Sequence, residues 1–291
     1  MKKNKTLAAV MLAIGISCAA HAAPEALTPP QKRPAASDIS AGGSSTQTEK
    51  STAQDDFTPA QQARIGEIAA DYLVAHPDVL IEVSKKLQAR QEARRQAAYT
   101  QAVVGAHRLL MQLDDIPVSG PKNAKVLVTE FFDYECIACS MMAPVMEKVM
   151  AANPDVRFAF RDWTIFAPRF QESTLASRRG LDVWRRQGAQ AYMTYHNGIY
   201  HTGHNEGKLT TADIDEVSKV AGVTDKSGAD DGKSDAVIRN NDALAEMLGL
   251  TGTPGIIVMP VENATEANTT VLPGVVSEAV MEQAIKKAAG N

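Results

Sequence analysis

Cysteine is scarce in this sequence, which has three among its 291 residues. So low a count excludes a small domain held together by many disulfides, and it makes the role of each sulfur a specific question. An excess of positive charge is also missing, because 30 basic residues stand against 34 acidic ones. The chain therefore lacks the basic surplus expected of a nucleic-acid-binding protein, and we expect no nucleic-acid partner.

Apolar runs long enough to cross a bilayer are missing as well. The run over residues 7–16 is shorter than the about 20 residues that a membrane-spanning helix needs. Three lysines precede it and small residues follow it, which is the layout of a cleavable secretory signal over residues 1–22. We therefore expect a periplasmic protein from which Cys18 is removed. The alternative is a lipid-anchored Cys18, which Gly15 disfavours because a bulky apolar residue is expected at that position.

The next part of the chain changes from unstructured to helical composition. Residues 23–56 are rich in Pro, Ala, Ser, Thr, Gly and Gln, and this composition predicts a disordered tether. Residues 57–116 carry helix signals, beginning with Thr58 as N-cap and Pro59 in the first turn. The apolar stripes of this segment either fold back on the following domain or pair with copies of themselves. Its polar middle favours self-association of the early part.

Residues 117–291 have the pattern of an α/β domain. A buried strand, a helix and a second strand come first and predict a βαβ unit. Short helices follow over about 169–249, and two further strands and a capped helix complete the order. The predicted elements lie at 125–132, 141–150, 156–160, 256–259 and 269–272, with a last helix after Ser277.

The two remaining cysteines, Cys136 and Cys139, lie where the first of these strands turns into its helix. A thiol at a helix N-terminus faces unsatisfied backbone N–H groups, which stabilise the thiolate over the thiol. A second thiol one turn along can attack a mixed disulfide formed on the first. The spacing therefore predicts thiol-disulfide exchange with Cys136 as nucleophile and Cys139 as resolving cysteine.

The motifs around this pair carry a family resemblance. The sequence Phe-Phe-Asp-Tyr at 131–134 precedes the cysteines, and Leu-Thr-Gly-Thr-Pro at 250–254 follows the helical block. With this order of elements, the chain resembles the DsbA-like branch of the thioredoxin superfamily over residues 117–291. The helical extension, with His-Pro-Asp at 76–78, resembles ScsC-like (suppressor of copper sensitivity) proteins, some of which are trimeric disulfide isomerases. The resemblance implies a thioredoxin fold with a helical insertion, preceded by an oligomerisation segment in which a trimer is favoured over a dimer.

The resemblance also implies roles for individual residues. The Thr253-Pro254 peptide is expected to be cis and to receive an extended substrate segment beside Cys136. Glu130 matches a buried acidic residue that transfers protons to and from Cys139. Arg161 is either a partner charge at the end of the second strand or a surface residue.

The dipeptide between the cysteines differs from the better-known family members. Ile137 and Ala138 supply neither the proline of thioredoxin nor the histidine of DsbA, and Glu135 opposes ionisation if it points toward the sulfur. We therefore expect the pKa of Cys136 to lie nearer the value of about 7 for thioredoxin than the value of about 3.5 for DsbA. The active-site disulfide should then be a weaker oxidant than that of DsbA.

These observations predict a periplasmic thiol-disulfide oxidoreductase, a disulfide isomerase with some dithiol oxidase activity. Its expected partners are unfolded or misfolded secreted proteins and an unidentified redox partner, and no cofactor is expected. Three histidines at 196, 201 and 204 match no common zinc spacing, so we expect no dedicated metal site. Two alternatives stay open: a copper-handling protein that binds Cu(I) through the two cysteines, and an oligomeric chaperone.

Overall fold

The computed structural model describes residues 57–225 and 232–290. The expected signal peptide (1–22) and tether (23–56) lie outside the described residues. The helices of the described part are, in chain order, α1 (Pro59–Ala75), α2 (Asp78–Gly105), α3 (His107–Leu110), α4 (Ile137–Ala152), α5 (Gln171–Gln187), α6 (Ala189–His201), α7 (Thr211–Val220), α8 (Lys233–Met247) and α9 (Glu278–Ala289). The strands are β1 (Val118–Ser119), β2 (Val126–Phe132), β3 (Arg157–Asp162), β4 (Gly255–Pro260) and β5 (Thr270–Pro273). None of the helices in these ranges combines the length and hydropathy of a membrane span.

The chain divides into two compact units, the first ending at Gln62 and the second starting at Ala63. In the first unit, the amide of Gln61 donates to the Thr58 hydroxyl at 3.4 Å, while the Gln61 side chain accepts from the amide of Thr58 at 2.8 Å. This reciprocal pair is a capping box at the start of α1, where Thr58 is the expected N-cap.

The early helices of the second unit expose their apolar residues. The helical pattern breaks between α1 and α2, where Pro77 precedes the first residue of α2. Apolar side chains on both sides of this break are about half exposed in the single chain: Ile65, Ile68, Tyr72, Leu80, Val83 and Leu87. We call these six residues the apolar stripe. An apolar helix face of this kind is stabilised by burial against a partner.

The end of α2 is buried in the domain that follows. Tyr99 and Val103 on α2 and Leu110 on α3 share an apolar cluster with Leu127 and Phe131 of β2. Packing onto the sheet therefore begins at Tyr99, earlier than the boundary expected at residue 117. The segment predicted to self-associate thus divides into an exposed part before Tyr99 and a part that belongs to the core of the α/β domain.

The five strands form one sheet in the order β1-β3-β2-β4-β5. Strand β2 is parallel to β3, and the other pairs are antiparallel. The parallel pair is connected through α4, as predicted for the βαβ unit. Because side chains alternate along β2, Val128 and Phe132 face one apolar cluster while Leu127 and Phe131 face the other.

The helical insertion lies between β3 and β4, within the predicted range of 169–249. Helix α7 starts with a capping box, in which Thr210 and Asp213 form reciprocal hydrogen bonds. The last helix begins after Ser277 as expected, although the Ser277 side chain makes no capping hydrogen bond. Helices α4, α6 and α9 cover the same face of the sheet as Val128, so the start of α4 lies above a packed core.

Candidate active site

The catalytic pair expected from the sequence lies at the start of α4. Cys136 is the N-cap residue, with an extended backbone (φ −84°, ψ 116°), and its Sγ accepts a hydrogen bond from the amide of Cys139 at 3.4 Å. Both cysteines are free thiols in the structure. The sulfur of Cys136 therefore takes the place of the side-chain oxygen that normally caps a helix, where the partial positive charge of the helix is greatest.

The predicted substrate-binding loop lies next to this sulfur. The Thr253-Pro254 peptide bond is cis, as the resemblance implies. In the thiol form, Sγ of Cys136 donates a hydrogen bond to the carbonyl oxygen of Thr253 at 3.3 Å. The carbonyl of Pro254 accepts from the amide of Gly274 at 2.8 Å, which ties the loop to the end of β5. The structure thus brings together residues 117 positions apart in the sequence.

This environment lowers the pKa of the Cys136 thiol from 9.0 to about 6. The largest cause is a hydrogen bond from the Cys139 side chain, which burial opposes; the Thr253 side chain and the amides of Cys139 and Ala138 lower the pKa further. Cys136 is 3% exposed, and its neighbour Ile137 is 53% exposed. The Cys136 sulfur is therefore buried beside an exposed apolar residue, and a pKa of about 6 leaves much of it ionised at neutral pH.

The second cysteine has the opposite tendency. Cys139 is 1% exposed, and burial is the largest cause raising the pKa of its thiol well above 9. Glu130 lies on β2 and is also buried, and this burial, followed by the charge of Cys136, raises the pKa of its carboxyl to about 8. Its Oε2 has no hydrogen-bond partner among the described residues. The site therefore combines three buried groups: an ionisable thiol at Cys136, a protonated thiol at Cys139 and a protonated carboxyl at Glu130.

Asp133 fixes the loop that presents Cys136. One carboxylate oxygen accepts from the amide of Glu135 at 2.9 Å, and the other accepts from the amide of Phe166 and the hydroxyl of Ser173, each at 2.9 Å. Its backbone carbonyl accepts from the amide of Cys136 at 3.1 Å. Asp133 is fully buried, so its hydrogen bonds form in a region of low dielectric, where losing them is costly.

Glu135 contacts the loop between α6 and α7. Its Oε2 accepts from the amide of Gly207 at 2.7 Å, and its carbonyl accepts from the amide of Glu206 at 3.0 Å. Burial is the largest cause raising the pKa of the Glu135 carboxyl. The acid that reaches the start of α4 is Glu206, whose Oε1 accepts from the amide of Ile137 at 3.4 Å.

Arg161 is neither a surface residue nor a partner of Glu130. It is 4% exposed and its guanidinium donates to Asn241 Oδ1 and to the carbonyls of Leu110 and Gln112, at 3.0 to 3.1 Å. Its neighbour Phe160 pairs with Glu130 and packs in the cluster that contains the two cysteines, so Arg161 lies on the other face of the sheet. Arg161 therefore ties the α3 region to α8.

The histidines do not form a common cluster. His196 is 2% exposed, lies among aromatic rings and contacts the Tyr134 hydroxyl through Nδ1 at 3.3 Å; burial lowers its pKa to about 3. His201 lies near Glu147, and His204 contacts Asp213. Within residues 57–225 and 232–290, no three His, Cys, Asp or Glu side chains are grouped to hold a metal ion.

The sequence did not assign roles to two residues of this site. Asp133 had a local signal, because an aspartate side chain often accepts a hydrogen bond from the amide two residues later and so forms an Asx turn. Glu206 had none, because it lies 69 positions from Ile137 and only folding brings the two together.

Comparison with known proteins agrees with this geometry. A family model described as thioredoxin matches residues 113–270, more than half of the chain. The chain belongs to the thioredoxin family. A second model, described as the N-terminal domain of the copper resistance protein ScsC, matches residues 61–94 of this thioredoxin-family chain, which includes the apolar stripe.

Solved structures similar to this thioredoxin-family chain include BcfH and ScsC. BcfH from Salmonella enterica Typhimurium is 36% identical, covers 79% of this chain and 96% of its own, and has a TM-score of 0.69. ScsC from Proteus mirabilis in a transitional conformation is 26% identical and has a TM-score of 0.54, and the match covers 81% of this chain and 99% of the ScsC chain. A periplasmic thioredoxin-like protein from Salmonella enterica serovar Typhimurium is 25% identical and has a TM-score of 0.53, and the match covers 65% of this chain and 97% of that protein's chain. The search of curated proteins found no match.

Proposed function

We propose that this protein is a periplasmic thiol-disulfide oxidoreductase that acts on unfolded or misfolded secreted proteins, mainly as a disulfide isomerase and partly as a dithiol oxidase. The observation that carries the proposal is Cys136 at the N-cap of α4, with Sγ 3.4 Å from the amide of Cys139 and 3.3 Å from the carbonyl of Thr253. The periplasmic location is supported by the secretory pattern at residues 1–22 and by the periplasmic thioredoxin-like neighbour.

Isomerisation uses Cys136 alone and needs no net oxidation. The Cys136 thiolate attacks one sulfur of a wrong substrate disulfide, so a mixed disulfide forms and the other substrate sulfur leaves as a thiolate. A different substrate thiolate then attacks the mixed disulfide, forming a new substrate disulfide and returning the Cys136 thiolate. If this step fails, Cys139 attacks Cys136, releases the reduced substrate and leaves the Cys136-Cys139 disulfide.

Dithiol oxidation starts from the Cys136-Cys139 disulfide. A substrate thiolate attacks Cys136, and Cys139 leaves as a thiolate that takes a proton from Glu130, whose carboxyl has a pKa of about 8. A second substrate thiolate attacks the mixed disulfide, so the substrate is oxidised and both cysteines are reduced. A redox partner must then accept two electrons from the pair to restore the disulfide. Thr253 and Pro254 hold the substrate chain beside the sulfur during these steps.

The balance toward isomerisation is supported by the thiolate and by the apolar stripe. A Cys136 pKa of about 6 is closer to about 7 for thioredoxin than to about 3.5 for DsbA, and therefore favours a weaker oxidant. Burying the apolar stripe between copies of the chain, as a trimer in preference to a dimer, groups several active sites around one substrate. A substrate released from one thiolate can then be attacked at the next.

The test compares two activities of the full chain: refolding of a substrate with wrong disulfides, and oxidation of a dithiol peptide. Ile68→Glu places a charge in the apolar stripe, whereas Ala70→Glu places the same charge on the opposite face of α1. We expect Ile68→Glu to give monomers and to lose isomerisation while it keeps oxidation, and Ala70→Glu to keep both. Isomerisation that survives in a monomeric Ile68→Glu variant contradicts the role of self-association.

Replacing both cysteines by serine separates the proposal from its alternatives. We expect both redox activities to vanish. Full protection of substrates from aggregation by the double variant, with no redox activity in the parent, identifies a chaperone instead. Tight Cu(I) binding by the parent through the two thiols, again without redox turnover, identifies a copper-handling protein. The match to a model described as a copper resistance protein supports testing this alternative.

A further inference from the structure

The loop between α6 and α7 brings an acid to the positive end of the active-site helix. Oε1 of Glu206 accepts a hydrogen bond from the amide of Ile137, the first residue of α4, at 3.4 Å. Ile137 follows the nucleophile Cys136 directly in the chain. The carboxylate of Glu206 therefore occupies the same group of unsatisfied amides that stabilises the Cys136 thiolate.

The backbone holds Glu206 in this place at a cost. Its φ is +54°, in the left-handed region that a residue other than glycine adopts only under constraint. Two hydrogen bonds to Glu135 supply the constraint, one from the amide of Glu206 at 3.0 Å and one from the amide of Gly207 at 2.7 Å. A side chain at Gly207 would meet the Phe170 ring at 2.7 Å, so the loop also packs closely on α5's N-cap residue. Strain kept in this way beside a reactive group points to a role in function.

We propose that Glu206 is a positioning residue of the exchange reaction, whose negative charge at the start of α4 destabilises the Cys136 thiolate and makes the active-site disulfide a weaker oxidant. The proposal rests on the proposed exchange function and identifies a residue that adjusts the oxidising strength of its active site. Two negative charges compete there for one helix end, and Coulomb repulsion between them favours the thiol. Three other acids surround the Cys136 thiolate. The carboxylates of Asp133 and Glu135 accept from amides outside α4, and Glu130 is buried on β2, where it interacts with the charge of Cys136. The carboxylate that accepts from the first amide of α4 is that of Glu206.

The test measures the Cys136 thiolate by its ultraviolet absorbance as pH changes, in the parent chain and in Glu206→Gln, Glu206→Ala and Glu206→Lys. Glutamine keeps an oxygen that can accept from Ile137 and removes only the charge. Like charges on neighbouring residues at an exposed helix start shift a pKa by about 0.5 to 1 unit, so Glu206→Gln should lower the Cys136 pKa by that amount and Glu206→Lys by more. The exposed Glu246, on α8, supplies the control variant Glu246→Gln, which should leave the Cys136 pKa unchanged.

The second readout is the equilibrium between the active site and glutathione. Stabilising the thiolate stabilises the reduced protein, so Glu206→Gln should shift this equilibrium about three- to tenfold toward the dithiol. A Glu206→Gln variant that titrates within about 0.2 unit of the parent overturns the proposal, as does a pKa that moves only in Glu206→Ala, because that result assigns Glu206 a purely structural role. Neither readout needs a protein substrate, so a lack of isomerase activity does not affect the outcome.

Discussion

Replacing Glu130 by glutamine should stabilise the folded protein at neutral pH and not at acidic pH. Glu130 is 3% exposed, and folding raises the pKa of its carboxyl from 4.5 to about 8. A group with a raised pKa keeps its proton in the folded state while the unfolded state releases it. The stability that this carboxyl contributes is therefore full below pH 4.5 and is lost as pH rises toward 8.

The magnitude follows from these two pKa values. Between them, each pH unit costs the parent about 1.4 kcal/mol relative to a group that cannot ionise. From pH 4 to pH 7, the free energy of unfolding of Glu130→Gln should thus gain about 3 kcal/mol over the parent. The buried amide has hydrogen-bonding needs of its own, but their cost does not depend on pH and cancels from this difference.

Urea unfolding of the reduced protein at each pH unit from 4 to 8 measures the effect, with Glu246→Gln as an exposed control of the same chemistry. The control should follow the parent throughout. A difference between Glu130→Gln and the parent that stays constant from pH 4 to pH 7 refutes the reasoning, because it means that Glu130 ionises in the fold as it does in water. The same variant should release Cys139 more slowly during dithiol oxidation, since glutamine cannot give up a proton.

Three further outcomes are expected around the same site. Alkylation of Cys136 should rise with pH about a midpoint near 6, while Cys139 stays unreactive below pH 9; a midpoint near 4 or near 8.5 contradicts the described environment. Thr253→Val removes the hydroxyl that lowers the Cys136 pKa and should raise that midpoint by about half a unit, and an unchanged midpoint shows that the hydroxyl has no part. Asp133→Asn replaces one of the two acceptor oxygens by an NH2 group, so either the Glu135 amide or the Phe166 amide and the Ser173 hydroxyl lose their acceptor. The free energy of unfolding in urea titrations should fall by about 2 to 4 kcal/mol, and a loss below about 0.5 kcal/mol contradicts this expectation.

Much of the fold could be predicted because its signals are local. The run at 125–132 alternates between two buried faces and forms β2 over Val126–Phe132. The capping boxes at Thr58 and Thr210 each lie within one turn of helix, so their sequences mark helix starts without reference to the rest of the chain. The positions of the two cysteines at the start of α4 could likewise be predicted from the local sequence.

What could not be predicted depends on contacts between distant positions. The sequence leaves Arg161 open between two roles because nothing near it shows that its guanidinium donates to the carbonyls of Leu110 and Gln112 and to Asn241. The sequence likewise suggests Glu135 as an acid that opposes the thiolate. In the structure the Glu135 carboxylate accepts from the Gly207 amide, and the carboxylate that accepts from the first amide of α4 is that of Glu206. Long-range packing decides both cases.

Helix α2 continues without a break from exposed Leu80 to buried Val103. At 1.5 Å and 100° per residue, such a helix sets both the distance and the angular direction in which it presents whatever is attached to its end. Inserting one residue near position 92 would turn the Cys136 thiol by about 100° around the helix axis, and inserting seven would return it to within about 20° of its first direction, some 10 Å farther out. The direction in which the thiol faces around the axis of α2 can thus be changed without altering the chemistry of the sulfur.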